Sequence, residues 1–197
     1  IDLLNKNYGT NDVTRTGINL VENDNHVKVW LPGVGANYRF NNYVSLFGGV
    51  HKGFAPPTNT PGTDAENSTN YEIGTRYNYK KFSGELVVYF NDYKNLLGSD
   101  LAASGGSGTL DQFNAGEAHV KGIEFLINYQ VLKEESKFKL PITFGDTLTD
   151  TEFVNEFASS DGAWGTIEKG DEIPYISKHQ FNASIALEHA KFELILG

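Results

Sequence analysis

Residues 71–90 read YEIGTRYNYKKFSGELVVYF, and this stretch decides the fold. Apolar or aromatic residues occupy most alternate positions in residues 71–79 and again in residues 82–90. A period of two is typical of a β-strand whose two faces meet different surroundings. The Lys80-Lys81 pair separates the two runs and predicts a two-residue hairpin turn.

The same alternation recurs along the chain and predicts about eight antiparallel strands and no helix. The composition agrees, since aromatic residues make up 13% of the chain and 21 glycines outnumber 6 prolines. Aromatic residues are enriched in strands, and glycine is common in turns. We therefore expect an all-β fold. Its other strands are residues 30–40, 43–54, 123–129, 138–144, 181–187 and 192–196.

The predicted connections alternate strictly between short turns and long loops. All the short turns therefore lie at one end of the sheet and all the long loops at the other. An up-and-down barrel of the bacterial outer membrane has this asymmetry, whereas a Greek-key sandwich does not separate its loops in this way. The short turns are Asn41-Asn42, Lys80-Lys81, residues 130–137 and His189-Ala190, and the long loops are residues 55–69, 95–112 and 150–174.

Aromatic residues flank the short turns on the apolar side of the strands, where a membrane barrel carries an interfacial girdle. Tyr71 and Phe90 lie far enough along their strands to form an opposite girdle, about 20 Å away once the strands tilt. The alternative is that the same rings pack the core of a soluble protein. The predicted outward rim consists of Tyr38, Phe40, Tyr77, Tyr79, Tyr129, Phe138 and Phe192.

The other side of the strands is polar and charged. A small closed barrel fills its interior with side chains, whereas a wide barrel encloses water that can hydrate such charges. These residues therefore favour a wide lumen, and the alternative is a one-sided sheet exposed to bulk solvent. The charged residues are Arg39, Glu72, Arg76, Glu85, Glu124, Lys139 and Glu188.

Two hairpins yield predicted charge pairs on this polar side. A two-residue turn at Lys80-Lys81 pairs positions whose numbers sum to 161, so Arg76 lies directly opposite Glu85. The same reasoning at His189-Ala190 places Glu188 opposite Lys191. Opposite charges at facing positions stabilise a sheet by about 0.2–1 kcal/mol.

The composition excludes several classes of function. The chain has 197 residues, a formal charge of −9 and no cysteine, which argues against a nucleic-acid partner, a disulfide scaffold and a thiolate site. The longest apolar run is five residues, too short for a membrane-spanning helix. No catalytic motif or metal-ligand spacing is present, and the glycine-rich residues 102–108 indicate a flexible loop. We expect no enzymatic activity, no cofactor and no metal site.

Five segments, in this order, resemble TonB-dependent outer-membrane receptors, with the ferric dicitrate-type receptors as the nearest subgroup. Each motif is weak by itself, and the order and spacing carry the resemblance over about residues 47–180. The segments read FGGVHKGFAPP (47–57), NYEIGTRY (70–77), YFNDYKNL (89–96), FNAGEAHVKGIE (113–124) and GDEIPYISKHQ (170–180).

The resemblance implies a role in uptake of an iron chelate, of the siderophore or ferric citrate type, across the bacterial outer membrane. Residues 1–197 are then the C-terminal part of the barrel, about eight of roughly 22 strands. The plug domain and the segment that engages TonB are absent from this sequence, as is the terminal aromatic residue usual in the family. The chain also starts at Ile1 without a signal peptide, which suggests an excised segment. The implied partners are outer-membrane lipid, TonB, the plug domain and the iron chelate.

Other functions remain open from the sequence. One is a soluble β-sandwich that binds carbohydrate or acts as an adhesin module; others are a passive porin and a TonB-dependent receptor for oligosaccharide or cobalamin. The side of the sheet that His51 faces is also open, because the parity across Asn41-Asn42 is uncertain by one residue. The candidate ligand-binding residues, at the long loops and the mouth, are His51, Lys52, Asp111, His119 and Trp164.

Overall fold

The computed structural model describes residues 2–14, 17–57, 63–99, 112–158 and 165–197. These residues form fifteen β-strands joined by turns and irregular segments. No helix in the described part of the chain is long and apolar enough to cross a membrane. The strands are β1 (Asp2–Thr14), β2 (Gly17–Lys28), β3 (Gly33–Arg39), β4 (Val44–Ala55), β5 (Glu66–Tyr79), β6 (Phe82–Lys94), β7 (Leu97–Ser99), β8 (Gln112–Asn114), β9 (Ala118–Gln130), β10 (Phe138–Lys139), β11 (Pro141–Phe153), β12 (Phe157–Ala158), β13 (Thr166–Ile167), β14 (His179–His189) and β15 (Phe192–Leu196).

One antiparallel sheet contains the predicted strands, in the order β3-β4-β5-β6-β9-β11-β14-β15, with the short β10 paired to β14. Strands β10 and β11 form one ribbon interrupted at Leu140, so the sheet has the eight ribbons that the sequence predicts. In this sheet each ribbon lies beside the ribbon that follows it in the sequence, and this arrangement is an up-and-down topology. Among the described residues β3 does not pair with β15, so the sheet is open.

Six strands were missing from the sequence-based prediction. Strands β1 and β2 form a long hairpin of their own, and their sequences contain too few apolar residues for a period of two to be visible. Strands β7 and β8 form a short hairpin within one long connection, and β12 and β13 form another within the next. Such two- and three-residue strands are below the length that periodicity detects.

The alternation of short and long connections is confirmed. Residues 40–43, 80–81, 131–137 and 190–191 join strands at one end, which we call the short-turn end. The connections that span residues 56–65, 95–117 and 154–178 leave and rejoin the sheet at the other end, the long-loop end. Two turns differ from their predictions. The first spans residues 40–43 and not only Asn41-Asn42, and the last lies at Ala190-Lys191 and not at His189-Ala190.

The strand register separates the sheet into two faces. On the face that we call aromatic, Tyr79 pairs with Phe82, which in turn pairs with Tyr129. All seven aromatic residues predicted at the short-turn rim are exposed, by between 37% and 64% of their surface. Within the described residues they do not form a closed dry core, as the predicted outward rim requires. The opposite face, which we call polar, contains the facing pair Arg76 and Glu85.

The buried core is small and lies at the long-loop end. Its fully or nearly buried members come from strand ends and from the connections between strands, and Tyr93, Leu96, Val120 and Phe157 pack against them. Backbone hydrogen bonds fix the connections there: Leu96 and Gly116 bond across one, and Phe153 bonds to Asp171 in another. The described parts of these two long connections are therefore anchored to the sheet. The core residues are Ala115, Ala118, Phe153, Ile167 and Ile173.

Candidate functional site

The polar face forms a recess of about 780 Å³ between β4 and β14, towards the long-loop end. Strand pleating sends alternate side chains of six neighbouring ribbons to this one surface. Three glutamates line it, and its one basic side chain is a histidine, so the wall is acidic. The polar side chains of the lining include His51, Glu66, Glu72, Tyr89, Asn91, Tyr93, Glu124, Thr149 and Gln180.

His51 lies on the polar face and lines the recess. Its register partners are Gly33 and Asn70 on the two neighbouring strands. The parity that the sequence left open is fixed by Asn41, whose Oδ1 accepts hydrogen bonds from the backbone N–H groups of Tyr43 and Val44 at 2.8 and 2.9 Å. This closed turn spans four residues, so β4 begins at Val44.

Lys52 follows His51 and therefore lies on the opposite, aromatic face. Its ammonium group donates a hydrogen bond to Thr69 Oγ1, the side chain of its register partner on β5. The side chains of His51 and Lys52 thus lie on opposite faces of the sheet, and of these two only His51 lines the recess.

His119 also lies on the aromatic face, beyond Phe90, whose ring centroid is 5.0 Å from its own. It lies between Asp92 (3.7 Å) and Glu152 (3.3 Å). Lys121 continues the row and contacts Asp150 at 3.1 Å and Glu152 at 3.9 Å. His119 is therefore part of a ladder of alternating charges on three adjacent strands and does not face the recess.

Asp111 and Trp164, the other two candidates, lie outside the described residues. Sequence reasoning missed Tyr89, which crosses the floor of the recess and shares a hydrogen bond of 3.0 Å with Thr149 Oγ1. The Tyr89 ring lies over Gly122, its register partner, and a Cβ at Gly122 would lie 2.5 Å from the phenol oxygen. A ring opposite a glycine on the next strand is the signal that could have identified this contact.

The predicted pair of Arg76 and Glu85 is confirmed. The two residues face each other across β5 and β6, and the guanidinium Nε donates to the Glu85 carboxylate. The guanidinium carbon also lies 3.9 Å from the centroid of the Phe47 ring. That ring covers Gly74, where a Cβ would clash with the Phe47 ring and lie 2.8 Å from the Leu86 carbonyl oxygen. The pair is therefore held by both charge and stacking.

The predicted pair of Glu188 and Lys191 is wrong. Glu188 faces Glu193 on β15 and Lys139 on β10, and Lys191 is in the turn. The physical reason is the ring of His189, which belongs to the strand and not to the turn. It contacts Phe138 and Phe192 at centroid distances of 4.9 and 5.3 Å.

Ion pairs also fix the approach to β14 at the long-loop end. Lys178 donates a hydrogen bond to Glu172, and this bond raises the pKa of the Lys178 ammonium group above its ordinary value. His179 Nε2 lies 2.6 Å from Asp146 Oδ1 on the neighbouring strand. No group of three or more potential metal-ligating side chains was found in the described ranges.

The arrangement combines carboxylates, phenols and amides on one wall that is open to water. Such groups bind a partner through hydrogen bonds and charge, and loops anchored on a rigid sheet can present further contacts above them. The geometry is that of a binding surface.

Comparison with known proteins gives a family match. A protein-family model described as TonB dependent receptor-like, beta-barrel, matches residues 5–194. A search of curated protein sequences found no significant match.

Solved structures with similar folds include one from Neisseria meningitidis and one from Yersinia pestis. The FrpB iron transporter from Neisseria meningitidis (F3-3 variant) has 18% identity and a TM-score of 0.54, with 90% of this chain and 26% of that chain covered. The ferric yersiniabactin uptake receptor FyuA from Yersinia pestis has 20% identity and a TM-score of 0.54, with the same coverage of 90% and 26%. The chain thus spans about a quarter of each (26%), and the likeness concerns the fold.

Proposed function

Because the chain belongs to the TonB-dependent receptor β-barrel family, we propose that it forms the C-terminal part of a receptor barrel that takes up an iron chelate. The family resemblance read from the sequence is confirmed by the match over residues 5–194. The observation that carries the proposal is the two-faced sheet, with an exposed aromatic face, a polar recess and anchored long connections at one end.

The proposed setting is the bacterial outer membrane, with the aromatic face against lipid. Rings at the short-turn end and the pair Tyr71 and Phe90 near the other end would form the two girdles, because amphipathic rings favour the membrane interface. The charge ladder at His119 lies beyond Phe90, where water and lipid headgroups can solvate it. The short-turn end then faces the periplasm and the long connections face the outside.

The polar face would line the lumen and receive the plug domain. The recess wall contains the acidic side chains of Glu66, Glu72 and Glu124, and its one basic side chain is that of His51. Charge complementarity then favours a basic surface on the plug. TonB would act through that plug, since energy coupling requires a part of the receptor that can move.

The proposed ligand is an iron chelate of the siderophore or ferric citrate type. Two proteins with similar folds are an iron transporter and a ferric yersiniabactin receptor, which makes iron the first ligand to test. The chemistry would be binding and gated passage, with no covalent bond made or broken. Candidate contacts are His51 in the recess, together with Asp111 and Trp164, which remain proposals outside the described residues. For Lys52 and His119, which lie on the aromatic face, we propose ligand contact only at the outer rim of the barrel mouth.

Deletion of residues 100–111 from the full-length receptor tests this function. Ser99 pairs with Gln112, so a short linker between them preserves the β7–β8 hairpin. We expect uptake of radioactive iron chelate to fall at least about tenfold, equivalent to about 1.4 kcal/mol of binding. The control A190N/K191G changes another short turn, at the opposite end of the sheet, to a sequence that suits a two-residue hairpin, and it should leave uptake unchanged.

Assembly of both variants is checked by the shift in electrophoretic mobility that a folded barrel shows before heating. Unchanged iron uptake in an assembled variant lacking residues 100–111 would count against a role for this loop. Uptake of oligosaccharide or cobalamin in place of iron would overturn the proposed ligand class while leaving the receptor assignment intact.

A further inference from the structure

A second groove, of about 860 Å³, lies on the aromatic face at the short-turn end. It is distinct from the polar recess, because its floor consists of rings on the opposite side of the sheet. Its walls are the Lys80-Lys81 turn and the connection between β9 and β10. The lining consists of Tyr79, Lys80, Lys81, Phe82, Tyr129, Lys133, Glu134 and Glu135.

The floor is a row of three rings at one level of the sheet. Tyr79 pairs with Phe82 across β5 and β6, and Phe82 pairs with Tyr129 across β6 and β9. These residues are 37%, 37% and 44% exposed, so part of each ring is open on the groove side. Rings in this position suit the boundary between acyl chains and headgroups.

One wall of the groove is cationic. Lys80 has a positive φ of 52°, a left-handed conformation that the tight turn requires, and its ammonium group lies 4.9 Å from the Tyr79 ring centroid. Lys81 Nζ donates a hydrogen bond to the Val131 carbonyl oxygen at 3.0 Å, which ties the turn to the opposite connection. Two ammonium groups are therefore directed at the edge of the ring floor.

The facing wall is of mixed charge and mostly acidic. Glu134 and Glu135 lie next to Lys133 in the connection between β9 and β10, and all three are exposed. A purely anionic headgroup would meet the lysines and be repelled by the glutamates. A headgroup with a phosphate at one side and a primary ammonium at the other matches both walls.

We propose that this groove binds one phospholipid with a phosphoethanolamine headgroup. The phosphate accepts hydrogen bonds from Lys80 and Lys81, the ammonium donates to Glu134 or Glu135, and the glycerol and upper acyl chains cover the three rings. A choline headgroup cannot donate to the glutamates, and a glycerol headgroup places no positive charge near them. The inference rests on the proposed membrane orientation, since it places this groove at the periplasmic leaflet.

The test is native mass spectrometry of the full-length receptor in detergent, titrated separately with phosphatidylethanolamine, phosphatidylglycerol and phosphatidylcholine. We expect one phosphatidylethanolamine to bind at least about tenfold more tightly than either other lipid. The double substitution K80Q/K81Q should weaken the binding of all three lipids, because each carries the phosphate that the two lysines contact. E134Q/E135Q should remove the preference, because it weakens phosphatidylethanolamine binding and strengthens phosphatidylglycerol binding. The matched control K191Q changes a lysine in another short turn and should alter nothing.

Equal binding of the three lipids, or unchanged binding by both double variants, would overturn the proposal. The heat-dependent mobility shift verifies that each variant is folded. The lipid assay contains no iron chelate, so its result is independent of the ligand class. If the unaltered full-length receptor takes up no iron chelate but keeps the lipid preference, the proposed transport function alone is overturned.

Discussion

Two hairpins of the sheet, β5–β6 and β14–β15, have similar turns but different relations to their sequences. In the first, the Lys80-Lys81 turn and the register agree with the prediction. In the second, the turn lies one residue further along, at Ala190-Lys191, and every predicted pair shifts by two positions. The alternation of apolar residues is present in both, so alternation by itself does not fix a register.

Alternation determines the face of each residue but leaves a choice between registers that differ by two. In β14–β15, the numbers of two facing residues can sum to 379 or to 381. Both registers place Leu187 and Phe192 on the same face, and the observed sum is 381. Contacts between facing side chains must decide. An aromatic pair contributes about 0.5–1.5 kcal/mol and a facing charge pair about 0.2–1 kcal/mol.

In β5–β6 both kinds of contact favour one register, because Tyr79 faces Phe82 and Arg76 faces Glu85. In β14–β15 they conflict. The charge pair favours a turn at residues 189–190, whereas the ring of His189 favours the observed turn, where it contacts Phe138 and Phe192. The rings prevail, and Lys139 on β10 offsets the charge of Glu188.

The largest expected difference between the two hairpins comes from glycine substitution. G74A in β5 places a Cβ against the Phe47 ring and 2.8 Å from the Leu86 carbonyl oxygen. We expect a loss of about 1–3 kcal/mol in the free energy of unfolding, measured by denaturant titration of the full-length receptor. The control G197A, beside β15, adds a Cβ whose nearest neighbours are 3.7 and 3.8 Å away, and it should be near neutral. Equal effects of the two substitutions would contradict the close packing of Phe47 on Gly74.

Charge reversal in the first hairpin should have an intermediate effect. R76E places a carboxylate opposite Glu85 and removes the cation from the Phe47 ring. Because the pair is partly exposed, we expect a loss of about 1 kcal/mol, measured in the same titration. The swap R76E/E85R should recover part of that loss. If the swap is no more stable than R76E, the facing register does not govern this pair.

The smallest expected effect is a gain in stability from one substitution in the second hairpin. E193K converts the facing pair of Glu188 and Glu193 into opposite charges, and we expect stabilisation of about 0.2–1 kcal/mol. Its control is K191E, which should be near neutral because Lys191 is in the turn. A marked destabilisation by K191E with no gain from E193K would support the other register.

The sequence predicted the features that depend on periodicity, and other features depended on local geometry. The eight ribbons, their two faces and the alternation of connections follow from side chains that repeat every second residue. The face of His51 depended on one Asn41 side chain that closes a four-residue turn, which alternation cannot detect. His119 was a ligand candidate at the long loops and the mouth, and it lay outside the predicted strand 123–129. Strand β9 extends back to Ala118 and brings His119 onto the aromatic face.

In the recess, too, alternation predicts the face of a residue but not its contacts. Glu72 and Glu124 were identifiable as polar-face residues, because each lies within a clearly alternating strand. The contact of Tyr89 with Thr149 joins residues 60 positions apart and depends on the space above Gly122. Such a contact requires the register of three strands, which the sequence fixes only in the first hairpin.

The central claim is that the aromatic face meets lipid and the polar face meets water, and neighbouring positions of β5 test it most directly. The chain contains no cysteine, so single cysteines at Glu72 and Ile73 can carry nitroxide labels in the full-length receptor, once any cysteine elsewhere has been replaced. Glu72 lines the recess, and Ile73 is 54% exposed on the aromatic face. In reconstituted membranes, electron paramagnetic resonance should show that oxygen relaxes the label at position 73 more strongly and that a water-soluble nickel complex relaxes the label at position 72 more strongly. Equal accessibility at the two positions, or the reverse order, would contradict the account.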